Sequence, residues 1–217
     1  VFINVHSHFA CNQPNTVTLQ SLYAGYALTQ QPGHYTVGIH PWYITDLNTQ
    51  LQQLQQHAGN VYVRGIGECG LDTLCLTDMA LQQAAFEAQL QLAAALHKPV
   101  IIHCVRAWQP LLHTLKTINP PVPIIFHGYN KSLELALELT NMGYYLSFGK
   151  ALLHQRIQTV FKHLPLQQLL LETDDADMPV SNLYFIAAKA CNLSVDSFSL
   201  QLQQNAGHIF GNTLFDV

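Results

Sequence analysis

Pro99-Val100-Ile101-Ile102-His103 is apolar on both sides of an extended chain and ends on an imidazole. A strand without polar alternation is covered on both faces, as in a parallel sheet flanked by helices. On its N-terminal side, residues 79–97 form an Ala, Leu and Gln stretch of helical period, which Pro99 stops. On its C-terminal side, residues 107–117 have helical spacing again. The same alternation runs through the rest of the chain. Strand-like runs fall at residues 2–6, 35–39, 61–66, 100–103, 123–127, 144–148 and 168–172. Helix-like stretches fall at 18–30, 46–58, 79–97, 107–117, 133–142, 154–163 and beyond Pro179. Alternating β and α segments predict an α/β architecture. Seven or eight units favour a TIM-like (β/α) barrel over an open doubly wound sheet. With 217 residues, against roughly 250 for such barrels, a shortened or distorted barrel is expected. No linker or repeat divides the chain, so residues 1–217 are expected to form a single domain.

Composition narrows the function. Hydrophobic residues are 49% of the chain and charged ones 10%, so apolar burial rather than surface ion pairing carries the fold. Glutamine is expected to replace charge on solvent-facing helix positions, as in Gln50-Leu51-Gln52-Gln53-Leu54-Gln55-Gln56. A net charge of -4 offers no basic footprint for an extended nucleic-acid interface. It does not exclude gripping a few nucleotides through metal ions. The five cysteines, Cys11, Cys69, Cys75, Cys104 and Cys191, lack paired zinc-knuckle spacing. With neither a leader pattern nor a membrane-length apolar run, a reduced, cytoplasmic protein with no membrane partner is expected.

Metal-binding side chains stand where the strand-like runs end. Val5-His6-Ser7-His8 closes the first; residues i and i+2 of a strand share a face, so His6 and His8 present two imidazoles together. His40 closes the second run, Glu68 the third, His103 the fourth and His127 the fifth, while Asp174 follows the seventh. In a (β/α) barrel the carboxyl ends of the strands share the face that carries active sites. Gly65, Gly67 and Gly70 are read as clearing space around Glu68 for a metal or substrate. Glu68 can bridge two cations; the competing reading makes Glu68 and Asp72 caps of the following helix. Glu172 is placed deeper than Asp174, as an acid supporting a ligand or the structure.

These stretches resemble the TatD-related metal-dependent DNases, a branch of the amidohydrolase-like barrel hydrolases. The matching segments are His6-Ser7-His8, Gly38-Ile39-His40-Pro41, Gly65-Ile66-Gly67-Glu68-Cys69-Gly70-Leu71-Asp72, Lys98-Pro99-Val100-Ile101-Ile102-His103, His127-Gly128, Leu146-Ser147-Phe148-Gly149 and Glu172-Thr173-Asp174. The resemblance implies a two-metal hydrolase of phosphodiester bonds, often a 3′-to-5′ exonuclease, with single-stranded DNA or DNA 3′ ends as partner. It implies that His6, His8 and Asp174 hold one divalent ion and His103 and His127 the other, with Glu68 shared. The ions expected are magnesium, manganese or zinc.

The chain departs from the family pattern at three places. Asn4 stands where Asp is usual; an amide can hydrogen-bond an imidazole but cannot raise its basicity. Cys104-Val105-Arg106-Ala107 replaces Ser-Arg-Asp-Ala, which removes an acid on the substrate side. Asn205-Ala206-Gly207-His208-Ile209-Phe210 varies the C-terminal Asn-x-x-Arg-x-Phe.

In this reading Asp174 orients and deprotonates the attacking water and Glu68 fixes the metal spacing. Arg106 and Lys150 contact phosphate, and His40-Pro41-Trp42-Tyr43 forms a rim able to stack a base. Two alternatives stand beside it. One is a small-molecule amidohydrolase or phosphatase on the same barrel, whose members often bridge metals through a carbamylated lysine, although Lys98 precedes its strand. The other is a non-catalytic binding subunit that serves a protein partner in a larger assembly.

Overall fold

The computed structural model describes residues 1–10, 13–25 and 32–215. Its strands are β1 (Phe2–Ser7), β2 (Thr16–Tyr23), β3 (His34–Gly38), β4 (Val63–Asp72), β5 (Val100–Val105), β6 (Ile124–Phe126), β7 (Tyr145–Phe148) and β8 (Leu169–Leu171). Its α-helices are α1 (Leu47–Ala58), α2 (Met79–Leu96), α3 (Trp108–Ile118), α4 (Leu133–Asn141), α5 (Gln155–Phe161), α6 (Val180–Ala190) and α7 (Val195–Phe210). The sheet takes the strands in chain order, β1 to β8. Ser7, at the end of β1, bridges Asp174 in parallel just beyond β8. Strand order equal to chain order, with the last strand's end brought back to the first, is the connectivity of a (β/α) barrel.

One expected helix is a strand. Residues 16–23, within the stretch read as helix 18–30, form β2, which pairs in parallel with β1 through Phe2–Thr16, Ile3–Val17 and Asn4–Thr18. The β-branched run Thr16-Val17-Thr18 and the buried alternate positions Leu19 and Ser21 suit a pleat rather than a helix. Residues 26–30 of the expected helix lie outside the described residues, as does Cys11. Among the described residues between β1 and β2 there is no helix of the kind that a full repeat would place there.

β4 runs to Asp72, well past the expected end at residue 66. Its glycines serve the neighbouring strand rather than a ligand. Gly67 and Gly70 have φ of 124° and 148°, and a Cβ on them would run into the carbonyl oxygens of Ile101 and His103 on β5. A Cβ on Gly65 would meet Pro99 O at 3.1 Å. The space read as room for metal or substrate is therefore filled by backbone, and only glycine permits that approach.

The described chain falls into two compact units, one of Val1–Gln20 with Ile125–Val217 and the other of Ser21–Ile124. In the second, Ala24, Val37, Ile39, Leu54 and Val63 form a buried cluster, with Leu22, Tyr35, Ile44, Leu47, Leu51 and Leu92 packed against it. Helix α1 starts on an Asp46 cap and sends Leu54 and Ala58 inward from its glutamine-rich run. Each large aliphatic side chain so buried contributes about 1.5–3 kcal/mol. Lys98 donates to the carbonyls of Ala58 and Val63, both at 2.5 Å, tying the end of α1 to the start of β4. In the first unit, Phe148 and Phe161 pack edge to face at 4.9 Å, and Tyr184 packs against Phe198 at 5.7 Å. The Tyr184 hydroxyl accepts from Ile3 N at 2.9 Å and donates to Ile3 O at 3.1 Å. Helix α6 is thereby fastened to β1. No helix among the described residues is long and apolar enough to cross a membrane. Cys69, Cys75, Cys104 and Cys191 stand outside any disulfide.

Candidate metal centre

Each unit gathers one group of imidazoles and carboxylates. In the unit of residues 1–20 and 125–217, the backbone at the end of β8 is laced to the end of β1. Asp174 N donates to His6 O at 3.0 Å, and His8 N donates to Asp174 O at 3.1 Å. Asp174 itself has φ 54°, a left-handed turn that swings its carboxylate back toward β1. Oδ1 lies 3.3 Å from His8 Nε2 and 3.6 Å from His6 Nε2. The rings of His6 and His127 are 4.6 Å apart. Donor atoms of His6, His127 and Asp174 lie within 4.8 Å of one another, close enough to hold a metal ion. Burial works to raise the pKa of Asp174, but the imidazoles of His6 and His8, with the field of His127, outweigh it. The carboxyl is held far below the usual range.

Two side chains set this group in place. Asn4 accepts from Thr173 N at 3.0 Å and donates to Thr173 Oγ1 at 2.8 Å. The amide expected to reach an imidazole instead clamps the residue before Asp174. Glu172, fully buried, accepts from Gly128 N at 2.7 Å and lies 3.4 Å from His127 Nδ1. It thus stands against both the His127 ring and the backbone that follows it.

In the unit of residues 21–124, Glu68 is almost fully buried. Its Oε1 lies 2.8 Å from His103 Nδ1 and 3.3 Å from His40 Nε2. These three residues form a second group able to hold a metal ion. His40, assigned to substrate contact from the sequence, thus stands among the donor atoms, with its ring 4.5 Å from that of His103. Asp72 faces the other side of His103, with Oδ2 3.0 Å from Nε2, and accepts the Trp42 indole N–H at 2.6 Å. Burial alone would raise the Asp72 pKa; bonds from His103, Trp42 and Leu74 N reverse that, and the net direction is down. Neither Glu68 nor Asp72 caps α2, whose N-terminus is capped by Asp78.

Two glutamines of α2 position these acids and imidazoles, and the sequence reading had placed such residues toward solvent. Gln82 accepts from Asp72 N at 2.8 Å and donates to Asp72 O at 3.0 Å. Gln89 accepts from Ile39 N at 2.7 Å and donates to Ile39 O at 3.0 Å. Seven residues apart, they share one helix face, and each replaces a missing strand neighbour at the edge of the site. Their spacing was the available signal. Arg106, exposed with φ 53°, follows β5. Lys150, exposed, pairs with Asp175 at 2.6 Å. Lys98, bound to carbonyls, is occupied away from any carbamate role.

The family model for TatD related DNase matches residues 8–206. The chain belongs to the TatD-related DNase family. With that family it belongs to the metal-dependent hydrolases. A relative in Escherichia coli K12, the uncharacterized metal-dependent hydrolase YjjV, is 34% identical over 70% of this chain. The 3′-5′ ssDNA/RNA exonuclease TatD of Yersinia pseudotuberculosis is 32% identical over 72% of it. Each of these two alignments spans 61% of the relative's length. The crystal structure of the E. coli YjjV TatD homologue matches with a TM-score of 0.83 and 25% identity, covering 96% of this chain and 97% of that one. The TatD barrel is therefore the fold of this chain too.

Proposed function

We propose that this TatD-family protein hydrolyses phosphodiester bonds at DNA 3′ ends with two divalent cations, magnesium, manganese or zinc. The observation that carries this reading is the pair of donor groups, His6/His127/Asp174 and His40/Glu68/His103, each with ligand atoms within 4.8 Å. The donor chemistry fits. Imidazole with carboxylate suits zinc or manganese, and carboxylate with water suits magnesium. His8 joins the first group through Asp174. Divalent ions bound there would supply Lewis acidity, which lowers the pKa of a bound water from 15.7 to about 7.

The chain's own residues supply the rest. Asp174 orients the attacking water and takes its proton. Glu68 holds His103 and His40 at fixed angles. Glu172 and Asn4 keep the first group from relaxing. Arg106 contacts the phosphate, and Lys150 can do so by exchanging Asp175 for a phosphate oxygen. The name carried by the Yersinia relative supports single-stranded DNA or RNA as substrate.

The test follows shortening of 3′-labelled single-stranded DNA by purified protein with each metal. The parent releases mononucleotides, and His103→Ala loses at least about 100-fold in rate, the scale seen when one electrostatic group is removed from an active site. Intact DNA with every metal, or a His103→Ala protein as active as the parent, contradicts the reading.

A further inference from the structure

Trp42 and Tyr43 are about half exposed, at 54% and 49%, yet neither is loosely held. They sit in the short 3-10 turn Pro41–Tyr43 directly after His40. Trp42 N donates to His40 Nδ1 at 3.1 Å, and its indole N–H donates to Asp72 Oδ2 at 2.6 Å. Tyr43 rests against Tyr23 at 4.6 Å and against the His40 ring at 5.4 Å. The anchors of Trp42 are thus His40 and Asp72, and both touch the His40/Glu68/His103 group directly.

A large aromatic side chain exposed for packing reasons alone need not spend its one polar atom on a buried carboxylate. Here the indole edge is fixed inward and the ring presents area to solvent at the border of the donor group. With its torsions already fixed, such a ring loses little freedom when a flat ligand settles on it. We infer that Trp42 is a stacking subsite for the nucleobase next to the scissile phosphate, an inference that rests on the phosphodiesterase reading above. Every base has a π face, so the site accepts any of the four bases and binds a terminus without one less tightly. Its orientation is set by Asp72, which makes Asp72 a positioning residue for the base as well as for His103.

The test measures quenching of Trp42 fluorescence in a Trp108→Phe background. The probes are short deoxyoligonucleotides whose 3′-terminal residue carries a base or is abasic. The metal-free protein is used so that nothing is cleaved. The base is expected to tighten binding on the order of tenfold. Trp42→Ala, followed by anisotropy of labelled oligonucleotides, is expected to bind both probes alike, and Trp42→Phe to keep part of the preference. A parent without preference, or a Trp42→Ala protein that retains it, overturns the subsite. A separate assay of bis(p-nitrophenyl) phosphate hydrolysis by the metal-loaded parent tests the phosphodiesterase reading without any base. Hydrolysis with no base preference removes the subsite alone; base-dependent quenching without hydrolysis overturns the phosphodiesterase reading and with it the place beside a scissile phosphate, leaving Trp42 as a base-binding site.

Discussion

Single residues carry the departures from the family pattern, and their consequences can be measured. Asn4, buried at 1% exposure, makes two hydrogen bonds to Thr173 that Asn4→Ala would remove. The orphaned groups make that change cost about 2 kcal/mol, read as a lower urea midpoint, and loosen Asp174 so that metal affinity falls with it. Unchanged stability would mean that Thr173 finds other partners. Gly67→Ala would set a methyl against Ile101 O at a φ of 124°. A loss of about 3 kcal/mol or more is expected, and a variant as stable as the parent would show that β4 and β5 can separate. At this scale the sequence pointed to His6, His8, Glu68, His103, His127 and Asp174 as candidate ligands by type and by position at strand ends. It did not show that the His40 ring stands beside Glu68 and His103, because nothing in Gly38-Ile39-His40-Pro41 says where a ring outside the strand will turn. The residue before it is held by Gln89, a contact fifty residues away.

Among elements, the parallel strands were the most legible, since Val100-Ile101-Ile102 has only one use. β2 was not, because Leu19 and Leu22 in residues 18–30 fit a helical spacing as well as a strand. The β-branched Thr16-Val17-Thr18 just before them gave the better clue. The packing of α6 on β1 also makes a prediction. Burial raises the Tyr184 pKa well above its ordinary value, so the folded chain keeps the phenolic proton where the unfolded chain loses it. Stability is therefore level below the ordinary tyrosine range near pH 10 and falls above it, by up to about 1.4 kcal/mol per pH unit. Tyr184→Phe should be less stable at pH 8 but flatter above pH 10 in chemical denaturation. Equal slopes for the two proteins would show that Tyr184 does not govern the alkaline limb.

At the scale of the whole molecule, the order of strands and the late carboxylate were readable because a barrel brings distant strand ends to one face. The supports were not readable. Gln82, Gln89, Asn4 and Glu172 act through backbone groups whose positions exist only once the strands are registered. The account's central claim is that the imidazoles and carboxylates of this chain are metal ligands. Metal content after equilibrium dialysis against manganese or zinc tests it most directly. Two ions per chain are predicted for the parent, and about one for His6→Ala and for His103→Ala, with all three proteins folded. No bound ion in the parent, or the same content in both variants as in the parent, would contradict it.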